Sequence, residues 1–305
     1  MHPVYDILII GGGPGGYTAA LYAARAGLKA AVLEKLSAGG QMALTTQIDN
    51  YPGFPEGIDG FTLGDHMRAG AEAFGAKTIY TQVDALRLEG PIKEADTDSG
   101  TLQGRTVVIA TGANPRLLGV AGEKELTGAG VSYCAHCDGM FYRNKTVVVV
   151  GGGNSAAADA LLLSRIAKKV ILVHRRDTLR ATKIYHEPLR NAPNVEFYWN
   201  STVTELLQDG KLTGVKLRNL RSGEEITLSC NGLFVSIGRQ PATELVKGQL
   251  ALDEAGYILA GEDTQTNIAG VYAVGDVRTK QLRQIVTAVA DGAVAAHNAE
   301  HYLNH

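Results

Sequence analysis

The sequence predicts an α/β protein built from two Rossmann-like dinucleotide-binding domains, the second inserted into the first. Three observations carry this. A strand, glycine loop, helix and strand occur in that order twice, around "IIGGGPGG" (Ile9 to Gly16) and "VVGGGNSA" (Val149 to Ala156). Breaks bearing Gly and Pro fall on either side of the second run, at Gly112 to Pro115 and at Ser236 to Thr243. The chain has 305 residues, 45% of them apolar, more than one core usually holds. The expected boundaries are residues 1–113 and 242–305 for the outer domain and 114–241 for the inserted one.

Tyr5 to Ile10 is an apolar run that reads as a strand. Gly11 to Gly16 is a glycine turn, Tyr17 to Ala26 an Ala-rich helix, and Lys29 to Leu33 a second strand ending at Glu34. Ser37 to Gly60 is loop-rich. A helix is expected over Gly64 to Phe74, then strands ending in "VVIATGANP", whose Gly-Ala-Asn-Pro reads as a linker. The first order then recurs: Lys145 to Val150 as strand, Gly151 to Gly153 as turn, Ser155 to Ile166 as helix, Lys169 to Val173 as strand ending at His174. After the second break, "GVYAVGD" is a strand and a long Ala-rich helix closes the chain.

Lys and Arg number 29 against 31 Asp and Glu, a net charge of -2, so no overall basic field points to nucleic acid or an anionic membrane. Val4 to Ile10 is too short to span a membrane and lacks a basic leader, so a soluble, cytoplasmic protein is expected. Three cysteines are too few for a disulfide framework and fit a reducing compartment, where a Cys-x-x-Cys pair is catalytic or metal-binding.

In the first loop, Gly11 permits a tight turn, Gly13 lets a pyrophosphate approach the backbone, and Gly16 lets helix and strand pack closely. The helix N-terminus then faces the phosphates. Glu34 ends the second strand, where a carboxylate can accept hydrogen bonds from a ribose and would repel a 2′-phosphate, so FAD or NAD is expected here rather than NADP. The plainer alternative is a glycine turn without a nucleotide. The second loop, Gly151-x-Gly153-x-x-Ala156, has the same mechanics, but His174, Arg175 and Arg176 stand where the first has Glu34, with Arg180 beyond. Guanidinium forks match phosphate oxygens, so the cluster predicts recognition of the 2′-phosphate of NADPH; the alternative is a solvated basic turn.

Cys134 and Cys137, with two residues between, read as a redox dithiol; a zinc or purely structural pair is the alternative, with no second ligand pair nearby. Asp138 can exchange a proton with a departing thiolate, or simply be a turn residue before Gly139. Cys230 reads as a buried hydrophobe in a strand. Asp276 at the end of "GVYAVGD" can bind a hydroxyl of a cofactor tail or cap a turn, and the helix after Arg283 and Gln284 offers backbone N–H groups. His297, His301 and His305 share a helix face near its C-terminus and read as solvated rather than metal-binding.

With "AGGQM", "DNYPG", "ATGANP", "CAHCDG", "HRRDTLRA", "SIGRQP" and "GVYAVGDV…RQ" in this order, essentially the whole chain resembles the low-molecular-weight thioredoxin reductases. The resemblance implies a homodimer with FAD in the outer domain, and NADPH and the redox disulfide on the inserted one. It implies FAD contacts from Gly11, Gly13, Pro14, Gly15, Gly16, Glu34, Lys35, Gly40, Gln41, Asn50, Val83, Thr111 and Gly112. Gly275, Asp276, Arg283, Gln284 and Ile285 complete that set. NADPH contacts would come from Gly151, Gly153, Asn154, Ser155, Ala156, His174, Arg175, Arg176 and Arg180. It further implies that Cys137 faces the flavin, that Cys134 attacks the disulfide of thioredoxin, and that Asp138 moves the proton. The chain departs from the family at His136, commonly Thr, and at Ala158 and Asp159, usually a pair of glutamates. A flavin-dependent dithiol oxidase acting on a small molecule and a non-catalytic flavoprotein redox sensor are the competing readings.

Overall fold

The computed structural model describes residues 4–45 and 47–305. Along the chain come β1 (Tyr5–Ile10), α1 (Pro14–Arg25), β2 (Ala30–Glu34), α2 (Gly60–Glu72), β3 (Lys77–Tyr80), β4 (Val83–Arg87), β5 (Lys93–Thr97) and β6 (Gly100–Ile109). After β7 (Ala113–Pro115) follow β8 (Val131–Ser132), α3 (Ala135–Asp138), β9 (Thr146–Val150), α4 (Asn154–Ser164), β10 (Lys169–Val173), α5 (His186–Asn191) and β11 (Val195–Tyr198). The chain continues through β12 (Ser201–Gln208), β13 (Leu212–Asn219), β14 (Glu225–Ser229), β15 (Gly232–Val235) and β16 (Arg239–Pro241), and ends with β17 (Val271–Ala273) and α6 (Ile285–Asn304).

These elements form two compact units, one made of the chain up to Asn114 together with Gln240–His305, the other of Pro115–Arg239. In the first, β1 lies parallel between β2 and β6, β2 pairs parallel with β3, and β17 runs parallel to β6; β5 and β4 extend the sheet antiparallel. In the second, the strand order is β11-β10-β9-β15-β8, all parallel, with β12-β13-β14 as a separate antiparallel sheet. One plan is used twice. The run Thr146 to Val150 has four buried valines because a parallel sheet is covered on both faces, so its strands carry no polar alternation.

Helix boundaries differ from expectation in an instructive way. Gly15 and Gly16 are not turn residues but lie in the first helical turn of α1, which starts at Pro14. Pro has its φ preset for the first helical position and has no N–H to lose there. Close packing explains the glycines: a Cβ on Gly16 would lie 2.0 Å from the Gly11 carbonyl oxygen, and one on Gly292 of α6 would lie 2.2 Å from that of Gly15. The two helices meet backbone to backbone, with Ala19, Ala20 and Ala23 of α1 and Ala295, Ala296 and Ala299 of α6 filling one face of the sheet. Likewise α4 starts at Asn154 and α2 at Gly60, where Asp59 accepts a capping bond from the Thr62 N–H at 2.8 Å. Cys230 is buried just beyond β14, between strands. Among the described residues, no helix is long and apolar enough to cross a membrane.

Candidate active site

The first glycine loop is tied together by its own acid. The Gly12 N–H donates to Glu34 Oε2 at 2.7 Å and the Leu36 N–H to Oε1 at 3.1 Å. Each carboxylate oxygen keeps a further lone pair, so Glu34 is oriented by the backbone yet still able to accept from a ribose. Gly12 is a requirement that the GxGxxG spacing does not mark, since a Cβ there would lie 2.9 Å from Glu34 Oε2. Gly13 meets nothing within 4 Å of its missing Cβ, and no side chain caps α1, so the helix start is open for a close-approaching phosphate. Gly40 abuts the loop, its missing Cβ 3.5 Å from the Gly13 Cα, and the Gly39 N–H donates to the Gly12 carbonyl at 2.8 Å.

Distant stretches of the first unit converge. The Asn50 amide donates to Gln284 Oε1 at 3.0 Å, the Gln41 amide to Asn114 Oδ1 at 2.9 Å, and the Thr111 hydroxyl to the Ala242 carbonyl at 2.6 Å. Gly112 has φ +71, a turn conformation that suits glycine, and its carbonyl accepts from the Ala242 N–H. Asp276 sits in a 3-10 turn, Gly275–Val277, rather than at a strand end, and Ile285 is the first residue of α6. Beneath that turn lies a buried hub that the sequence reading missed. Asp291 of α6 accepts from the Gly275 N–H at 2.8 Å, from Arg278 Nε and Nη2 at 2.9 and 2.7 Å, and from Lys280 Nζ at 2.7 Å. Burial pushes the Asp291 carboxyl up, but these donors outweigh it and hold it below the usual carboxylate range. Arg283 donates to the Arg278 carbonyl at 3.2 Å and lies 4.0 Å from the Tyr257 ring. Val83 opens β4 and packs on the sheet core, and Lys35 is exposed beyond Glu34.

The second loop has a different floor. A Cβ on Gly152 would lie 2.3 Å from the His174 ring, which is 4% exposed and whose Nε2 has no hydrogen-bond partner among the described residues. Burial, then the charges of Arg180, Arg175 and Arg176, lower the His174 pKa and keep the ring neutral. His174 therefore supports the loop from below, while Arg175, Arg176 and Arg180 are exposed. The Arg180 and Ala181 N–H groups donate to the Gly152 carbonyl at 2.7 and 3.1 Å, and the Thr182 N–H donates to Asn154 Oδ1 at 2.8 Å, folding the arginine segment back over the loop. None of these arginines has an acidic partner among the described residues; the neighbouring Asp177 pairs with Arg221 at 2.6 Å. Gly153 is open as Gly13 is, whereas a Cβ on Gly151 would lie 2.7 Å from that of Ala156, which packs where Gly16 does in the first loop. Ser155 follows Asn154 in the first turn of α4 and is exposed.

Cys134 and Cys137 are joined in a disulfide with their Cα atoms 5.3 Å apart, across the single turn of α3. The Cys137 N–H donates to Cys134 Sγ at 3.2 Å. Asp138 ends that turn, and its Oδ2 accepts from the Ser132 hydroxyl at 2.6 Å. Burial raises the Asp138 pKa against the opposing pull of Ser132. One residue past the acid, after Gly139, Met140 and Phe141 are exposed at 51% and 40%, an apolar pair close in sequence to the disulfide. On α4, which packs against α3, Asp159 accepts from the Ser236 hydroxyl at 2.5 Å; burial raises its pKa, opposed by Ser236 and by the charges of His136 and Arg239. The two sequence departures, His136 and Asp159, thus feel one another. Ser132, Ser236 and the Asp291 hub were not singled out from sequence, because their partners are set by tertiary contact.

The family model described as pyridine nucleotide-disulphide oxidoreductase matches residues 5–292. The chain is 48% identical over 301 residues to a thioredoxin reductase of Mycolicibacterium smegmatis, covering 98% of this chain and 97% of that protein. It is 46% identical over 302 residues to a bifunctional thioredoxin reductase/thioredoxin of Mycobacterium leprae, covering 98% of this chain and 66% of that one. Among solved structures, a thioredoxin reductase from Streptococcus pyogenes superposes with a TM-score of 0.93 at 44% identity, over 99% of this chain and 98% of the other.

Proposed function

This chain belongs to the pyridine nucleotide-disulphide oxidoreductase family, and from that premise we propose that it is a thioredoxin-disulfide reductase, with FAD on the first glycine loop and NADPH on the second. The observation that carries the proposal is the closed Cys134–Cys137 disulfide in the same unit as the arginine-bearing loop, followed in sequence by a buried acid and an exposed apolar pair. The open Gly13 and Gly153, the oriented Glu34 and the acid-free arginines support the two cofactor assignments. Met140 and Phe141 fit the landing place of a protein partner, and the relative that carries reductase and thioredoxin in one chain points to thioredoxin as that partner.

Bound at these loops, the flavin and the reduced nicotinamide supply hydride transfer, whose two electrons open the disulfide. The protein's own part is thiol and proton chemistry. Cys134 as thiolate attacks one sulfur of the partner's disulfide, forming a mixed disulfide and expelling the other sulfur as a thiolate. Asp138, kept protonable by burial, donates to that leaving group. Cys137 as thiolate then attacks Cys134 Sγ, releasing the second partner sulfur and closing the Cys134–Cys137 bond again. The α3 turn brings the Cys137 N–H to Cys134 Sγ, a hydrogen bond that stabilises negative charge on the attacking sulfur. The proposal includes a homodimer, read by sedimentation equilibrium, and a cytoplasmic setting in which such a pair cycles between its two states.

Anaerobic titration of the flavin-loaded protein with NADPH and then NADH tests the assignment. NADPH is expected to bleach the flavin at far lower concentration than NADH. C134S should keep that bleaching and lose turnover of thioredoxin disulfide; turnover retained in C134S would overturn the role of Cys134.

A further inference from the structure

Ser132 precedes the redox turn by two residues, is 3% exposed, and spends its hydroxyl proton and one lone pair on the site. Its oxygen accepts from the Cys134 N–H at 3.1 Å, it donates to Asp138 Oδ2 at 2.6 Å, and the Cys134 carbonyl lies 3.4 Å away. A hydroxyl has one proton to give and two lone pairs to accept with. With Asp138 ionised, Ser132 donates to the carboxylate and accepts from Cys134. With Asp138 protonated, the acid donates to Ser132, the Cys134 N–H still donates to it, and the hydroxyl proton turns to the Cys134 carbonyl. Both states are satisfied without moving a heavy atom, which matters where an unpaired buried polar group is costly.

We propose that Ser132 is a positioning residue that works as a hydroxyl rotor, holding Asp138 and the Cys134 backbone in one geometry through both protonation states of the acid. The proposal rests on the proton-donor role given to Asp138 above. The other titratable groups around the acid are distinct. Tyr142, next along the chain, is pushed up to about 12 by burial and by Asp138 itself, and Cys230 beyond it up to about 12 by burial, so both stay protonated. Lys145 lies 5.8 Å from the Tyr142 ring centroid. His136 shares α3, and Asp159 stands on the helix packed against it.

The test is the carboxyl 13C titration of Asp138 in the oxidised full-length protein, assigned by its disappearance in D138N and repeated in H136Q. Because the bond that Ser132 donates to the ionised form is charge-assisted and stronger than the one it accepts from the protonated form, S132A should move the inflection up by about one pH unit. S132T, which keeps the hydroxyl, should stay within a few tenths of wild type. The alkaline limb of kcat for thioredoxin turnover should move with the S132A inflection while KM does not follow. An unshifted or lowered inflection in S132A overturns the assignment, and so does S132T shifting as far as S132A, since packing and not the hydroxyl would then set the acid. If D138N retains the alkaline limb, the donor role of Asp138 falls, while the carboxyl titration still judges the rotor.

Discussion

Arg175, Arg176 and Arg180 are exposed cations with no acidic partner among the described residues, on a segment whose backbone is bonded to the loop it folds over. An exposed guanidinium gains little from a surface ion pair, and three of them without acids on a segment whose backbone is hydrogen-bonded to a glycine loop favour an anionic ligand. Replacing Arg176 by Ala should raise KM for NADPH by about 10- to 100-fold, the worth of one charge-assisted contact, with kcat and the KM for NADH nearly unchanged. Steady-state kinetics with both nucleotides would read this split. His174 illustrates the limit of reading residues by neighbourhood. In the sequence it stands with the arginines, yet its ring is the buried floor under Gly152.

Elements were legible where their cause is local. The strand, glycine loop and helix of each repeated unit announce themselves in about 30 residues, because the turn, the helix start and the acid or arginines after the second strand follow one another in sequence. The start of α1 was misplaced because glycine is a poor helix former; the glycines stand in the helix because α6 approaches Gly15 and the Gly11 carbonyl approaches Gly16 too closely for a side chain. Gly292→Ala would drive a methyl to 2.2 Å from the Gly15 carbonyl and should cost about 1–3 kcal/mol, visible as a lower Tm and weaker flavin retention. The hub that ties α6 to the Gly275 turn was illegible for the opposite reason: Asp291 meets Gly275, Arg278 and Lys280 only after the helix has docked. Since the folded-state pKa of Asp291 is depressed, its stabilisation is fully present above the unfolded carboxylate value of about 4 and is lost as pH falls through the lower folded value. Urea unfolding should therefore show a gap between wild type and D291N that is constant above about pH 5 and shrinks below about pH 4.

At the scale of the whole molecule, each unit owns its core, with hydrophobic clusters on both faces of its parallel sheet. Denaturant should accordingly reveal two transitions, each shifted by one ligand: FAD for the outer unit and adenosine 2′,5′-bisphosphate for the inserted one. At a ligand concentration of a hundred times Kd the stabilisation should be about 2.7 kcal/mol. A single transition moved by both ligands would contradict separate cores. The two chain passages between the units, Ala113–Pro115 and Arg239–Pro241, form a two-stranded sheet of their own. Paired strands lie about 4.8 Å apart, so the inserted unit leaves its host and rejoins it at nearly one point. In polymer terms the host never has to close a long loop, because the guest's own folding brings the two ends together. The guest is thus a cassette: a folded domain whose termini meet within one strand spacing could replace it at almost no entropic cost to the host, and a short turn could replace it altogether.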